Sequence, residues 1–216
     1  MAKEKTLFSC TECGDSSPKW LGKCPGCGAW NTLIESSPPS GGQNRYSQRV
    51  SLAPASSVAT LADIEAQDVA RTPTGQEELD RVLGGGLVAG GVVLIGGDPG
   101  IGKSTLLLQA MDGLQRGGLA TLYVTGEESG AQVALRSRRL GLDQSQVQVL
   151  AETQLEKILA TVELLKPAVV VIDSIQTVYS DALSSAPGSV AQVRECAAHL
   201  TRLAKTRDVA TVLVGH

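Results

Sequence analysis

From Val92 onward the apolar residues fall into two alternating textures. Short, mostly apolar runs recur at Val92–Ile95, 119–125 (LATLYVT), 147–150, 168–173 (AVVVID) and 209–214 (VATVLV). Between them apolar positions take helical spacing, over 105–116, 129–140, 152–165 ahead of Pro167, and 190–205. An apolar run of about four to eight residues reads as a strand buried on both faces. Strands of that kind alternating with helices predict a parallel sheet covered on both sides, an α/β fold. On the last helix Val190, Val193, Ala197, Leu200 and Ala204 share one face, with Cys196 beside it as a core thiol and His199 toward solvent. Upstream, 60–69 forms a short amphipathic stretch, and 74–83 gives one or two helical turns ending at Gly84-Gly85-Gly86.

The first part of the chain has another texture. Cys10-Thr11-Glu12-Cys13-Gly14 and Cys24-Pro25-Gly26-Cys27-Gly28 are two C-x-x-C-G knuckles. Each points two thiolates at one ion, and two knuckles close a tetrahedral site of four cysteines. The expected ion is structural zinc held by Cys10, Cys13, Cys24 and Cys27, with a redox dithiol or iron as the alternatives. Phe8, Trp20 and Trp30, three of the six aromatics, are expected to form the small core of this zinc-ribbon module over 1–34. Residues 35–57 are rich in Ser, Pro and Gly, and 36–57 carry no acid, which predicts a linker. Residues 58–216 then form the α/β core.

Charge changes this picture little. Residues 1–57 carry six Lys/Arg against four Asp/Glu, and 58–216 thirteen against eighteen, so the core has no basic excess that would advertise nucleic-acid binding. No apolar leader precedes the first knuckle and no run approaches the ~20 residues of a membrane span, so a soluble, cytoplasmic protein is expected.

The chemistry concentrates behind the first core strand. Gly97 to Ser104 reads G-x-x-x-x-G-K-S, between a strand and a helix, as a phosphate-binding loop requires. Gly97, Asp98, Pro99, Gly100, Ile101, Gly102, Lys103, Ser104 and Thr105 are therefore the expected nucleotide-binding residues. Lys103 would reach the β- and γ-phosphates, and the Ser104 hydroxyl would hold Mg²⁺. Asp173 ends an apolar strand, where the ligands of parallel sheets bind, and is the expected second Mg²⁺ ligand. Glu127-Glu128 follows the tip of the 119–125 strand, where a base for hydrolysis belongs. Arg136, Arg138 and Arg139 read as a solvated face.

The knuckles, the approach Thr74-Gly75…Glu78-Leu79-Asp80-Arg81-Val82-Leu83-Gly84-Gly85-Gly86, the phosphate loop, Tyr123-Val124-Thr125-Gly126-Glu127-Glu128-Ser129 and Val171-Ile172-Asp173-Ser174-Ile175-Gln176-Thr177 together resemble the RadA (Sms) family of bacterial DNA-repair ATPases. The likeness covers nearly the whole chain. It implies a RecA-type P-loop core with sheet order 147–150, 119–125, 168–173, 209–215, 92–96. It also implies ATP with Mg²⁺, a ring-shaped oligomer, single-stranded DNA as stimulating partner, and branch migration of recombination intermediates alongside RecA. Glu127 takes the position of the catalytic glutamate, Asp173 that of Walker B, and His216 that of a γ-phosphate sensor. Family members continue past residue 216, so motor activity is expected to need more than these residues. Without the knuckles the core resembles the KaiC-type ATPases equally, which leaves a signalling ATPase acting on protein, or a binding module without turnover, as rival readings.

Overall fold

The computed structural model describes residues 7–36, Thr60 and 69–216. Of the expected linker over 35–57, residues 35 and 36 fall in a strand, Leu33–Ser36, while 37–57 and most of the amphipathic stretch, 61–68, lie outside the described residues.

In the N-terminal unit β1 (Leu7–Cys10) pairs antiparallel with β2 (Ser16–Ser17) on one side and β3 (Leu33–Ser36) on the other. The two knuckles close alike. The Cys10 N–H donates to Asp15 O and the Cys24 N–H to Ala29 O, each at 2.8 Å, with Gly14 and Gly28 both at φ 75°. The expected aromatic core is not there. Trp20 and Trp30 are 55% and 71% exposed, whereas Cys10, Cys24, Leu33 and Ser17 are buried. Two of the four cysteines, with Leu33 and Ser17, hold the buried places that the indoles were expected to take.

In the second unit β4 (Arg71–Thr72) and β5 (Leu87–Val88) pair antiparallel around α1 (Glu77–Val82). Asp80 locks the turn ahead of α1, accepting from Thr74 N and Oγ1, both at 2.8 Å, and from Gly75 N at 3.2 Å. Then follow β6 (Val92–Ile95), α2 (Lys103–Arg116), β7 (Thr121–Thr125), α3 (Gly130–Arg139) and β8 (Gln148–Ala151). After these come α4 (Leu155–Leu165), β9 (Val169–Asp173), α5 (Val190–Arg207) and β10 (Ala210–Val214). The sheet runs β6-β10-β9-β7-β8, every pair parallel, the order that the family resemblance implies.

Side chains alternate across this sheet, so each strand feeds two cores. Val170 and Ile172 of β9 pack with Ile158 and Val162 of α4 and Leu200 of α5. Val169 and Val171 face the other way, toward Leu107, Met111 and Leu114 of α2. The buried face of α5 is Gln192, Cys196, Leu200, Leu203 and Ala204, while Val190, expected inside, is 61% exposed. A glutamine takes an inner place because it satisfies a loop. Gln192 Oε1 accepts from Ser180 N at 2.9 Å, and Nε2 donates to Ser180 O, Leu183 O and Ser185 O. Cys196 is fully buried, and burial pushes its thiol up to about 11, as suits a core residue.

One glycine of α2 is there for packing. A Cβ on Gly113 would lie 2.4 Å from the Thr74 carbonyl oxygen, which is backbone and cannot swing aside. Alanine is the better helix former by about 1 kcal/mol. Gly113→Ala is nevertheless expected to destabilise the protein by about 1–3 kcal/mol through overpacking, read as a lower denaturation midpoint at unchanged slope.

Candidate nucleotide site and metal centre

The chain leaves β6 at Ile95 and enters α2 at Lys103, and the loop between is built to expose N–H groups. Gly100 and Gly102 sit at φ 83° and 96°, a region that L side chains rarely enter. No side chain caps α2, and its first turn contains no acidic residue. The positive end of the helix is thus left to an anion. Lys103 is 8% exposed, and its Nζ donates to Gly97 O at 2.6 Å and Asp98 O at 2.9 Å. That clamp holds the ammonium beside the loop with one of its three donors to spare.

The loop forms one wall of a pocket of about 250 Å³ at the carboxyl edge of the sheet. Thr125, Glu127 and Glu128 at the tip of β7, Arg136 of α3, Asp173 at the end of β9 and His216 after β10 supply the rest. Every residue named from the sequence for catalysis, Mg²⁺ or sensing borders this pocket.

The adjacent glutamates have different partners. Glu127 Oε1 accepts from Ser174 Oγ at 2.6 Å and lies 3.1 Å from His216 Nε2. The Ser174 hydrogen bond first, then the contact with His216, holds this carboxyl below its ordinary value against the opposing effect of burial. Glu128 is ion-paired with Arg136. Its N–H and carbonyl both bond Thr125 Oγ1 at 3.0 Å, which fixes the turn. Arg138 and Arg139 are exposed as the sequence suggests, but Arg136 is turned into the pocket. The Ser129–Gln132 capping box sets where α3 begins, and residue 136 lies two turns on, on the same side as Ser129 and its neighbour Glu128.

Tyr123 belongs to the site and was missed in the sequence. It is 1% exposed, and its phenol donates to Asp173 Oδ2, with the Ser104 side chain close enough to influence its proton. Burial above all, then the Asp173 charge and hydrogen bond, push this phenol far above its ordinary value. It therefore stays a proton donor to Asp173, itself 7% exposed. One signal was available: a hydroxyl inside an otherwise apolar strand needs a buried partner.

In the N-terminal unit the sulfurs of Cys10, Cys13, Cys24 and Cys27 all lie within 4.8 Å of one another, and Cys10 Sγ and Cys27 Sγ are 3.7 Å apart. A tetrahedral ion with bonds of ~2.3 Å to sulfur sets its ligands about 3.8 Å apart, so the four thiols fit one zinc. None of the described cysteines is in a disulfide. Thr32 Oγ1 stands 3.2 Å from Cys10 Sγ, the kind of outer contact that orients a ligand.

Among the described residues no helix is long and apolar enough to cross a membrane. Residues 8–35 match the rubredoxin metal binding domain and residues 58–216 match the AAA domain. The whole chain is 52% identical to the DNA repair protein RadA of Pseudomonas aeruginosa, 49% to that of Bacillus subtilis and 50% to that of Escherichia coli K12. Each alignment covers 100% of this chain and 47% or 48% of the relative, so the chain spans about half the length of the curated relatives it matches. With a four-cysteine metal module ahead of a P-loop core of RecA type, and the AAA domain match running over most of its length, the chain belongs to the AAA domain family.

Proposed function

We propose that this chain binds and hydrolyses ATP in the service of DNA repair, with single-stranded DNA as its stimulating partner. The observation that carries the reading is the convergence of the phosphate loop, Glu127, Asp173 and His216 on one pocket at the carboxyl edge of the sheet. Its relatives are named DNA repair proteins, which supports the biological setting. The finer role is branch migration of recombination intermediates with RecA, by a ring of subunits in the cytoplasm.

Residues 97–105 cradle the phosphates, and Lys103 offsets the charge on the β- and γ-groups. Ser104 and Asp173 are the residues to hold Mg²⁺, with Tyr123 fixing Asp173 in place. When bound, that ion neutralises charge on the phosphate oxygens. Glu127 takes the proton of the attacking water as the water oxygen bonds the γ-phosphorus and the bond to the bridging oxygen of ADP breaks. His216 lies where a γ-phosphate is read. The four thiolates of Cys10, Cys13, Cys24 and Cys27 hold zinc, whose part is to fold the module.

Phosphate release measured with and without a single-stranded oligonucleotide tests the reading. Turnover that DNA raises supports it, and turnover indifferent to DNA sinks the DNA-repair part. Lys103→Ala is expected to weaken nucleotide binding itself, because it leaves phosphate charge without its partly buried counter-charge. Such losses run to about 2–5 kcal/mol, which is roughly 30-fold or more in affinity by calorimetric titration.

A further inference from the structure

Both tryptophans of this chain, Trp20 and Trp30, lie on the surface of the metal module. An indole left in water forgoes the burial of about 150–250 Å². The Trp20 indole and the Trp30 backbone are each tied to a neighbouring stretch of the module. Trp20 Nε1 donates to Leu33 O at 3.1 Å, and Trp30 pairs with Lys23 through an antiparallel bridge. Asn31 N closes the same hairpin by donating to Gly22 O at 2.9 Å. The rings converge above Gly22, where an edge atom of each comes within 3.9 Å of the point a Cβ would occupy. Lys23 Nζ stands 5.7 Å from the Trp30 ring centroid. From Ser16 to Ile34 the chain carries Lys19 and Lys23, both exposed, and no acidic residue at all.

Two exposed aromatic rings with cations beside them suit a ligand that is flat, apolar in the plane and negatively charged along its chain. Unpaired nucleotides have that chemistry, because every base has a face to stack and a phosphate to neutralise. A duplex hides its base faces. An apolar protein segment would use the rings but would leave the two lysines without a purpose.

We propose that Trp20 and Trp30 form a stacking platform for the unpaired bases of single-stranded DNA, with Lys19 and Lys23 on the phosphates. This deepens the DNA partner of the preceding reading and is independent of ATP turnover.

The chain has no other tryptophan, so its indole emission reports on this surface alone. A fluorescein-labelled oligodeoxythymidylate, titrated with the full chain without ATP, is followed by label anisotropy and indole emission together. Emission is expected to be quenched in step with the rise in anisotropy, and a duplex of the same length is expected to leave it unchanged. Trp30→Ala is expected to weaken binding roughly 5- to 150-fold, which is about 1–3 kcal/mol for one stacked base. Trp30→Phe retains a stacking face and should bind within about threefold of the parent. Lys23→Gln should lower the salt slope by about 1.

Metal stoichiometry is measured for each variant. If Trp30→Ala loses its ion, Trp20→Ala and the salt slope of Lys23→Gln carry the comparison. Anisotropy that saturates while emission stays constant puts the contact elsewhere and overturns the platform. So does the absence of any binding, quenching by the duplex as strong as by the single strand, or a metal-loaded Trp30→Ala that binds like the parent. Phosphate release from the same preparation distinguishes a failed platform from a failed nucleotide site.

Discussion

Glu127→Gln is expected to slow ATP hydrolysis by roughly 10²–10⁴-fold, the usual worth of a positioned base, while nucleotide affinity stays within about threefold. The amide keeps the size of the side chain and a carbonyl oxygen for Ser174, but cannot take a proton from water. Glu128→Gln is the control, because Glu128 is engaged by Arg136 rather than by Ser174 and His216. If Glu128→Gln abolishes turnover and Glu127→Gln does not, the assignment within the pair is wrong. The pH profile adds a second check. A carboxyl held below its ordinary value remains the ionised base down to lower pH, so the acid limb of kcat lies below the ordinary carboxylate range. Ser174→Ala removes the largest stabiliser of the ionised form. Its acid limb is expected to move up in pH, with the plateau near neutrality less affected.

Removing the metal should unfold the N-terminal unit. Among its described residues only Cys10, Ser17, Cys24 and Leu33 are buried. One buried leucine contributes about 1.5–3 kcal/mol, whereas ordering each residue of the backbone costs about 1–2 kcal/mol. A structural zinc in small peptides contributes about 10–16 kcal/mol, so the ion decides whether this unit folds. Chelation, or Cys24→Ser, is expected to open residues 7–36 to protease and hydrogen exchange, and native mass spectrometry should count one ion per untreated chain. The sheet of the second unit, with two apolar cores of its own, is expected to keep its cooperative thermal transition. A unit that stays protected after complete chelation would show that something other than the ion holds it.

The strands and the phosphate loop were legible because their signals are local, whereas the strand order came only with the family resemblance. Apolar runs mark strands covered on both faces, and a glycine-rich turn between strand and helix fits few other structures. The wrong readings share a physical origin. Residue type is a poor guide to burial where a specific polar bond decides the matter. Gln192 is inside because it binds four backbone groups of one loop, while Val190, two residues before it on the helix, is outside. Tyr123 looked like another apolar strand residue until Asp173 and Ser104 were seen at its hydroxyl. Arg136 resembled its exposed neighbours in composition, yet the starting point of α3 turned it toward Glu128. The tryptophans of the module read as core by hydrophobicity alone, whereas Cys10, Cys24, Leu33 and Ser17 hold its buried places.

The position of β10 sets a condition on how the protein is made. It is the last of the described strands to be synthesised, yet it takes an inner place in the sheet, in register with Val92–Ile95 on one side and with Val169 to Ile172 on the other. Until Ala210–Val214 has cleared the ribosome, β6 has no neighbour among the described strands, and the β9-β7-β8 part shows an unpaired apolar edge. Contacts across more than a hundred residues form slowly, and exposed strand edges are templates for association. The nascent chain therefore passes through a stage with two apolar edges waiting for one strand, an interval in which a chaperone that covers such edges would raise the yield of folded protein.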